Sequence, residues 1–294
     1  MSAATTTSRA TQAVTAARPG PTFGRLLAAE WTKLTSLRSP WWIAGVTLVV
    51  AFAITYLSAE ASSVNPTFYP LESLPTGLLL AQVGPLVLGA LVGAGEFRTG
   101  AFRTTFTLVP RRWPVVAAQA LVLVGFTLVL GVLTTAACAV GVLPSAASRD
   151  VPVDLTEGDT PGIMLGMVLF VVGLTLFGYA LGALMRRTVP AVVTALTIVL
   201  ILPVVLLVGG DLVSGPPGMA PAGEMPAEAE LTVVDTLVTV SPGGAAQLLT
   251  VPASEGPIEG SPDLGPVGGG LVLAGWTGLV LGVAVTRLRT RDVR

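Results

Sequence analysis

Apolar residues in this chain fall in long unbroken runs. They neither alternate with polar positions nor recur as a spaced stripe. Six runs approach or exceed the roughly 20 residues that a bilayer-crossing helix needs: 41–57, 76–95, 114–143, 162–184, 189–209 and 267–285. The third is long enough to tilt or protrude. Barrel strands span about 9–11 residues and alternate in character. The pattern therefore predicts an all-α integral membrane protein with six transmembrane helices, spanning 23–294, with an outer loop over 210–266.

Two further segments carry a helical stripe instead. In FGRLLAAEWTKLTSLRS, Phe23, Leu27, Trp31 and Leu34 recur at i, i+4, i+8 and i+11, and Arg25, Lys33 and Arg38 supply positive charge. This predicts a helix lying in the membrane interface, aromatic side down, near anionic lipid. Trp41 and Trp42 mark the headgroup boundary where the first span begins. The second segment, GEFRTGAFRTTFTLVPRR at 95–112, joins the second and third runs. Phe97, Ala101, Thr105 and Leu108 fall on one side, with Phe102 and Phe106 beside them, while Arg98 and Arg103 lie elsewhere on the wheel. Val109-Pro110 ends the pattern, since a residue before proline is pushed out of the helical region. Glu96 stands where the second run ends. It is expected to cap the loop helix by accepting from its first backbone N–H groups, at the positive end of the helix dipole.

Charge then orients the chain. Only 11% of its 294 residues are charged, against about 25% in an average soluble domain. Of the sixteen basic residues, fifteen lie on alternate sides of the six runs: before the first, between the second and third, at the Arg186-Arg187 turn, and after the sixth. Only Arg149 lies opposite. The rule that Lys and Arg stay inside places both termini in the cytoplasm of a multi-pass plasma-membrane protein. Most acids occupy the opposite loops, including Asp150, Asp154, Glu157 and Asp159.

Several chemistries are excluded by what the sequence lacks. There is no histidine, which removes Ser-His and Cys-His nucleophilic pairs and histidine-bearing zinc sites. The lone lysine, Lys33, has no GxxxxG before it, so the chain has no phosphate-binding loop of that form. The lone cysteine, Cys138, cannot form an intrachain disulfide and reads as a small buried thiol. No catalytic residue, metal or cofactor is expected, and no nucleic-acid partner. Residues 1–22 are Ala/Thr/Ser-rich without acids; they lack the apolar core of a signal peptide and read as a disordered cytoplasmic tail.

AAEWTKLTSLRSPWW, followed by GEFRTGAFRTTFTLVPRRW, resembles the membrane subunit of actinobacterial ABC transporters of the type-2 exporter class. Those permeases share a basic Glu-Trp-Thr-Lys-Leu helix before the first span. They also share a Gly-Glu-aromatic-x-Thr-Gly-x-x-Arg-x-Thr loop after the second span, ending in Val-Pro-Arg-Arg. SPGGAAQLL at 241–249 is similar to a short outer segment before their last span. The resemblance covers about residues 24–294, with GDLVSGPPGMAPAGEMPAEAE at 210–230 as a departure. It implies a half-transporter that pairs with a second permease copy and engages a separate ATPase subunit. The coupling residues would be Glu96, Phe97, Arg98, Thr99, Gly100, Arg103, Arg111 and Arg112; Glu30, Trp31, Lys33 and Arg38 would belong to the interfacial helix. A non-transporting membrane anchor, assembly or sensor protein of the same topology stays open as an alternative.

Smaller features fit a packed bundle. GxxxG spacings at Gly89/Gly93, Gly178/Gly182 and Gly278/Gly282 read as packing within one subunit before they read as dimer contacts. Pro85 and Pro203 should kink the second and fifth spans. Gln82 and Gln119 read as structural interhelical hydrogen-bonders ahead of substrate contacts. No Asp, Glu, Lys or Arg lies centrally in a run, which disfavours an ion-coupled transporter.

Overall fold

The computed structural model describes residues 22–99, 113–214, 233–254 and 262–290. Among them every regular element is a helix, and six stretches are long and apolar enough to cross a membrane: Arg38–Ser62, Pro70–Gly95, Pro114–Ser148, Thr160–Met185, Thr188–Gly209 and Gly265–Arg287. These are spans one to six. The chain is an all-α protein with the character of a multi-pass membrane protein. The expected tail at 1–22, apart from Thr22, and the acid-rich stretch at 215–232 lie outside the described residues.

The elements run α1 (Phe23–Ser36), α2 (Arg38–Ser62), a 3-10 turn (Pro70–Gly77), α3 (Leu78–Ala81), α4 (Val83–Thr99), α5 (Trp113–Ser148), α6 (Thr160–Met185) and α7 (Thr188–Leu196). A π turn (Thr197–Ile201) follows, then α8 (Leu202–Ser214), α9 (Val233–Val240), α10 (Pro242–Leu248) and α11 (Gly265–Thr290). Spans two and four are the most buried, and spans one, five and six present most of their surface outward.

The pairing of spans two and four follows from glycine. A Cβ at Gly93 would sit 2.9 Å from the Ala183 nitrogen, and one at Gly182 would sit 2.6 Å from the Ala90 carbonyl oxygen. Gly89 likewise lies against Thr175 and Tyr179, and Gly178 against Leu86. The two GxxxG pairs thus face each other within one chain, letting the backbones approach as small-residue interfaces do. Gly278 and Gly282 have nothing within 4 Å of a Cβ position.

Both prolines interrupt their helices. Pro85 offers no N–H to the Ala81 carbonyl, and the ladder breaks at Gln82, whose Nε2 donates to Leu79 O at 2.6 Å. In span five Pro203 offers none to Val199. The ladder shifts register across the π turn, the Leu202 N–H reaching Thr197 O. Span three continues past its expected end at Leu143 to Ser148, through Pro144. Its extension is held to span one by the Ser145 hydroxyl, which donates to Glu60 Oε2 at 3.2 Å.

The expected outer loop at 210–266 is not a plain loop. α9 and α10 form a helical hairpin whose second arm is buried at Pro242, Gly243, Ala245 and Ala246. Gly243 lies against the Val199 carbonyl and 3.1 Å, from a Cβ position, short of Pro203 Cγ. Val199 is near the midpoint of span five, so the hairpin reaches into the bundle. Irregular backbone at that depth must be satisfied by protein. Ser241 does this at the corner: its hydroxyl accepts from the Gly244 N–H at 3.1 Å and donates to Val238 O at 2.7 Å.

Candidate functional site

A helix, α1, forms where the stripe predicts one, but its apolar side is divided. Leu34 is buried and Leu27 half-buried, both packed with Leu88, Val122, Leu123 and Phe126 of spans two and three. Phe23 and Trp31 are exposed. The stripe is too wide for one docking face, so the leucines pack against spans two and three and the aromatics face outward. Trp41 fixes the corner between α1 and α2. Its indole N–H donates to Thr35 O at 3.0 Å, and its ring meets Phe126 edge-on at 5.7 Å. Trp42 beside it stands outward, 73% exposed.

A cavity of about 200 Å³ lies behind α1. Leu34 and Leu37, Leu88, Leu91 and Val92 of span two, and Val122 and Leu123 of span three form its apolar walls. Glu30, Lys33, Ser39, Gly95, Gln119 and Thr188 complete it. Five segments therefore meet here: α1 and the start of span one, which follow one another in sequence, the end of span two, and the starts of spans three and five. Gln119 accepts a hydrogen bond from the Tyr179 hydroxyl at 3.0 Å, tying span three to span four at the cavity's edge. At the mouth Lys33 pairs with Glu30 at 3.4 Å. The lysine side chain is 46% exposed, and such a pair contributes about 0–1 kcal/mol. Arg186 takes a left-handed backbone with φ 57°, and its Nη2 donates to Arg287 O at 3.3 Å. The basic turn between spans four and five is thereby joined to the end of span six.

The expected coupling residues are divided. Glu96, Phe97, Arg98 and Thr99 make the last turn of α4, which runs four residues past the expected end of span two at Gly95. Glu96 thus lies within α4, and the loop helix it was expected to cap lies outside the described residues. Gly100, Arg103, Arg111 and Arg112 lie outside the described residues. Of the interfacial residues, Glu30 and Lys33 line the cavity, Trp31 lines a neighbouring open groove, and exposed Arg38 precedes the cavity-lining Ser39.

The opposite end of the bundle carries acids. Asp159, just before span four, accepts from the Ser254 hydroxyl and from its backbone N–H, the latter at 2.9 Å. The Ser254 hydroxyl, then its N–H, hold the Asp159 carboxyl below the usual range. Asp154 is lowered in the same way by Thr156. Arg149, the one base that sequence places at this end, donates to Asn65 O at 3.2 Å. It ties the end of span three to the loop after span one.

Sequence reasoning missed the cavity, the π turn and the depth of the hairpin. Pro203 and the SPGG run were the only signals for the last two. Neither a protein-family model nor a curated protein matches the chain.

Proposed function

We propose that this chain is the permease subunit of an ATP-driven ABC export complex, forming the transmembrane pathway and coupling to a separate ATPase subunit. In this reading it works with a second permease copy in the plasma membrane, both termini cytoplasmic. The observation that carries the reading is the meeting of the two resembling segments. Glu30 and Lys33 of the Glu-Trp-Thr-Lys-Leu helix and Gly95, which opens the Gly-Glu-aromatic loop, line one cavity although more than 60 positions separate them in sequence. A push on the loop following α4 is transmitted to α1 and to spans two, three and five through that shared wall. Packed helices shift as bodies, so a small displacement at the loop is passed on and not absorbed.

The test is a pull-down for a co-purifying ATPase subunit, with a transport assay beside it. Glu96→Ala and Arg103→Ala are compared with wild type in membranes matched for permease content. Each lost contact at a partly buried interface is worth on the order of 1–3 kcal/mol, weakening docking roughly ten- to a hundredfold. Expression is expected to be unchanged, and partner recovery or coupled transport to fall. Wild-type recovery with wild-type transport in both variants would leave the anchor or sensor reading.

A further inference from the structure

We propose that span five is hinged at its π turn, and that its outer half moves with α9 as a two-helix flap against an otherwise fixed bundle. This rests on the packing of the helices and not on the export reading.

The two halves of span five are held differently. The inner half, α7, packs on α4 and α6, the helices of spans two and four. The outer half, α8, packs on α9, with a smaller contact to α10. Among the described residues α8 has no packing of that extent on any other span. Val204, Val205, Leu207 and Val208 are exposed, and Gly209 has nothing within 4 Å of a Cβ position. A segment with few buried contacts opens at lower cost than the core beside it. Lipid tails are as apolar as these side chains, so trading protein for hydrocarbon carries little hydrophobic penalty.

Both attachments of the flap lie at its deep end. α8 is entered through the π turn, where Pro203 offers no N–H to the Val199 carbonyl and the Leu202 N–H reaches Thr197 O. α9 is left through the corner at Ser241. These two points touch, since Gly243 lies against the Val199 carbonyl. Adjacent pivots define one axis, about which α8 and α9 tilt together without sliding past each other. π turns and prolines are also where helices bend.

Beyond the pivots the structure is anchored. α10 packs on α11 and on α6. A Cβ at Gly269 of span six would sit 2.6 Å from the Ala245 carbonyl oxygen, and Gly166 of span four lies against the Leu249 carbonyl. α9 itself makes only a small contact with α11. Trp276, midway along span six, donates its indole N–H to Val240 O at 2.9 Å and so pins the corner beside the axis. A tilt therefore parts α8 and α9 from the bundle and leaves α10 seated.

The experiment is double electron–electron resonance on the full chain in lipid nanodiscs, on a Cys138→Ala background. Labelled chains are diluted into unlabelled ones so that only distances within one chain are read. Two pairs share a reference label at the exposed Leu165 of span four, one reaching Val208 on the outer half and the other Val193 on the inner half. The outer pair is expected to give a distance distribution about twice as wide as the inner pair, or two separate populations. Pro203→Ala returns an N–H to the Val199 carbonyl and should narrow the outer distribution alone. Trp276→Phe removes the pin and should widen it. Equal widths for the two pairs in wild type would overturn the hinge, and a second copy clamped over α8 would give that result. An outer distribution that neither variant moves would overturn it as well. Should Pro203→Ala fail to assemble, an outer distribution unmoved by Trp276→Phe overturns it alone.

Discussion

Tyr179 of span four donates its phenolic hydrogen to Gln119 Oε1 of span three at 3.0 Å, and both side chains are buried. Two amphipathic groups that apolar spans would otherwise strand are thereby matched. In a membrane interior the alternative to such a bond is a polar group facing hydrocarbon.

Tyr179→Phe is expected to destabilise the folded protein by about 0.6–2 kcal/mol, the range for interhelical bonds in membranes. Pairing it with Gln119→Leu should recover part of that loss, because the second change removes the orphaned amide. Reversible unfolding in micelles, run as a double-mutant cycle, measures this. Strict additivity of the two single changes would show that the bond carries no coupling.

The glycines offer a sharper contrast. Gly182→Val places its Cβ against the Ala90 carbonyl and should destabilise by about 1–3 kcal/mol or prevent assembly of spans two and four. Gly278→Val meets nothing within 4 Å and should leave the monomer within about 0.5 kcal/mol of wild type. Thermal unfolding of both variants in detergent checks the pair. Equal sensitivity at the two sites would mean that the facing glycines are not what sets the distance between spans two and four.

Acid should loosen the other end of the bundle. The Asp159 carboxyl is held below its ordinary value of 3.8 by the Ser254 hydroxyl and N–H. A depressed folded pKa stabilises the fold above the unfolded value and loses that contribution as pH falls through the folded one. Wild type should therefore exceed Ser254→Ala in Tm at pH 5–7. The gap should narrow as pH falls below about 3.8, the ordinary Asp value. Asp154, lowered by Thr156, has the same sign in both proteins and drops out of the difference. A gap that widens in acid would reverse the assignment.

Much of this architecture was legible because burial in a membrane is written as length. All six spans were identified from continuous apolar runs, and α1 from one stripe, since each depends only on local composition. The cavity was not legible: Glu30, Gly95, Gln119 and Thr188 carry no shared spacing, and only the packing of five segments brings them together. The apolar run ends at Gly95 as composition suggests, but helical hydrogen bonding does not need apolar residues, and α4 runs on to Thr99. The hairpin was invisible for a related reason. Pro, Gly and Ser at 241–244 read as loop, yet they suit a tight corner that lets Gly243 reach the carbonyl of Val199. GxxxG spacing told which residues were small, and Gly278 and Gly282 show that spacing alone does not say which of them face a helix.

Orientation is the remaining question that one measurement answers. Fifteen of sixteen basic residues are assigned by sequence to one side, and the rule that Lys and Arg stay inside makes that side cytoplasmic. The buried thiol of Cys138 is replaced by alanine to give a silent background. A cysteine at Ala253, exposed and next to the Asp159–Ser254 contact without taking part in it, should react with a membrane-impermeant maleimide added to intact cells. A cysteine at Thr105 should react only after the membrane is permeabilised. Because the number of spans is even, both termini share a side, and inverting the protein would exchange the two results together. Labelling at Thr105 in sealed cells would overturn the orientation. Labelling at both sites would mean that one of spans three to five does not cross; span five would be the first to test, since Pro203 and its π turn divide it near the middle.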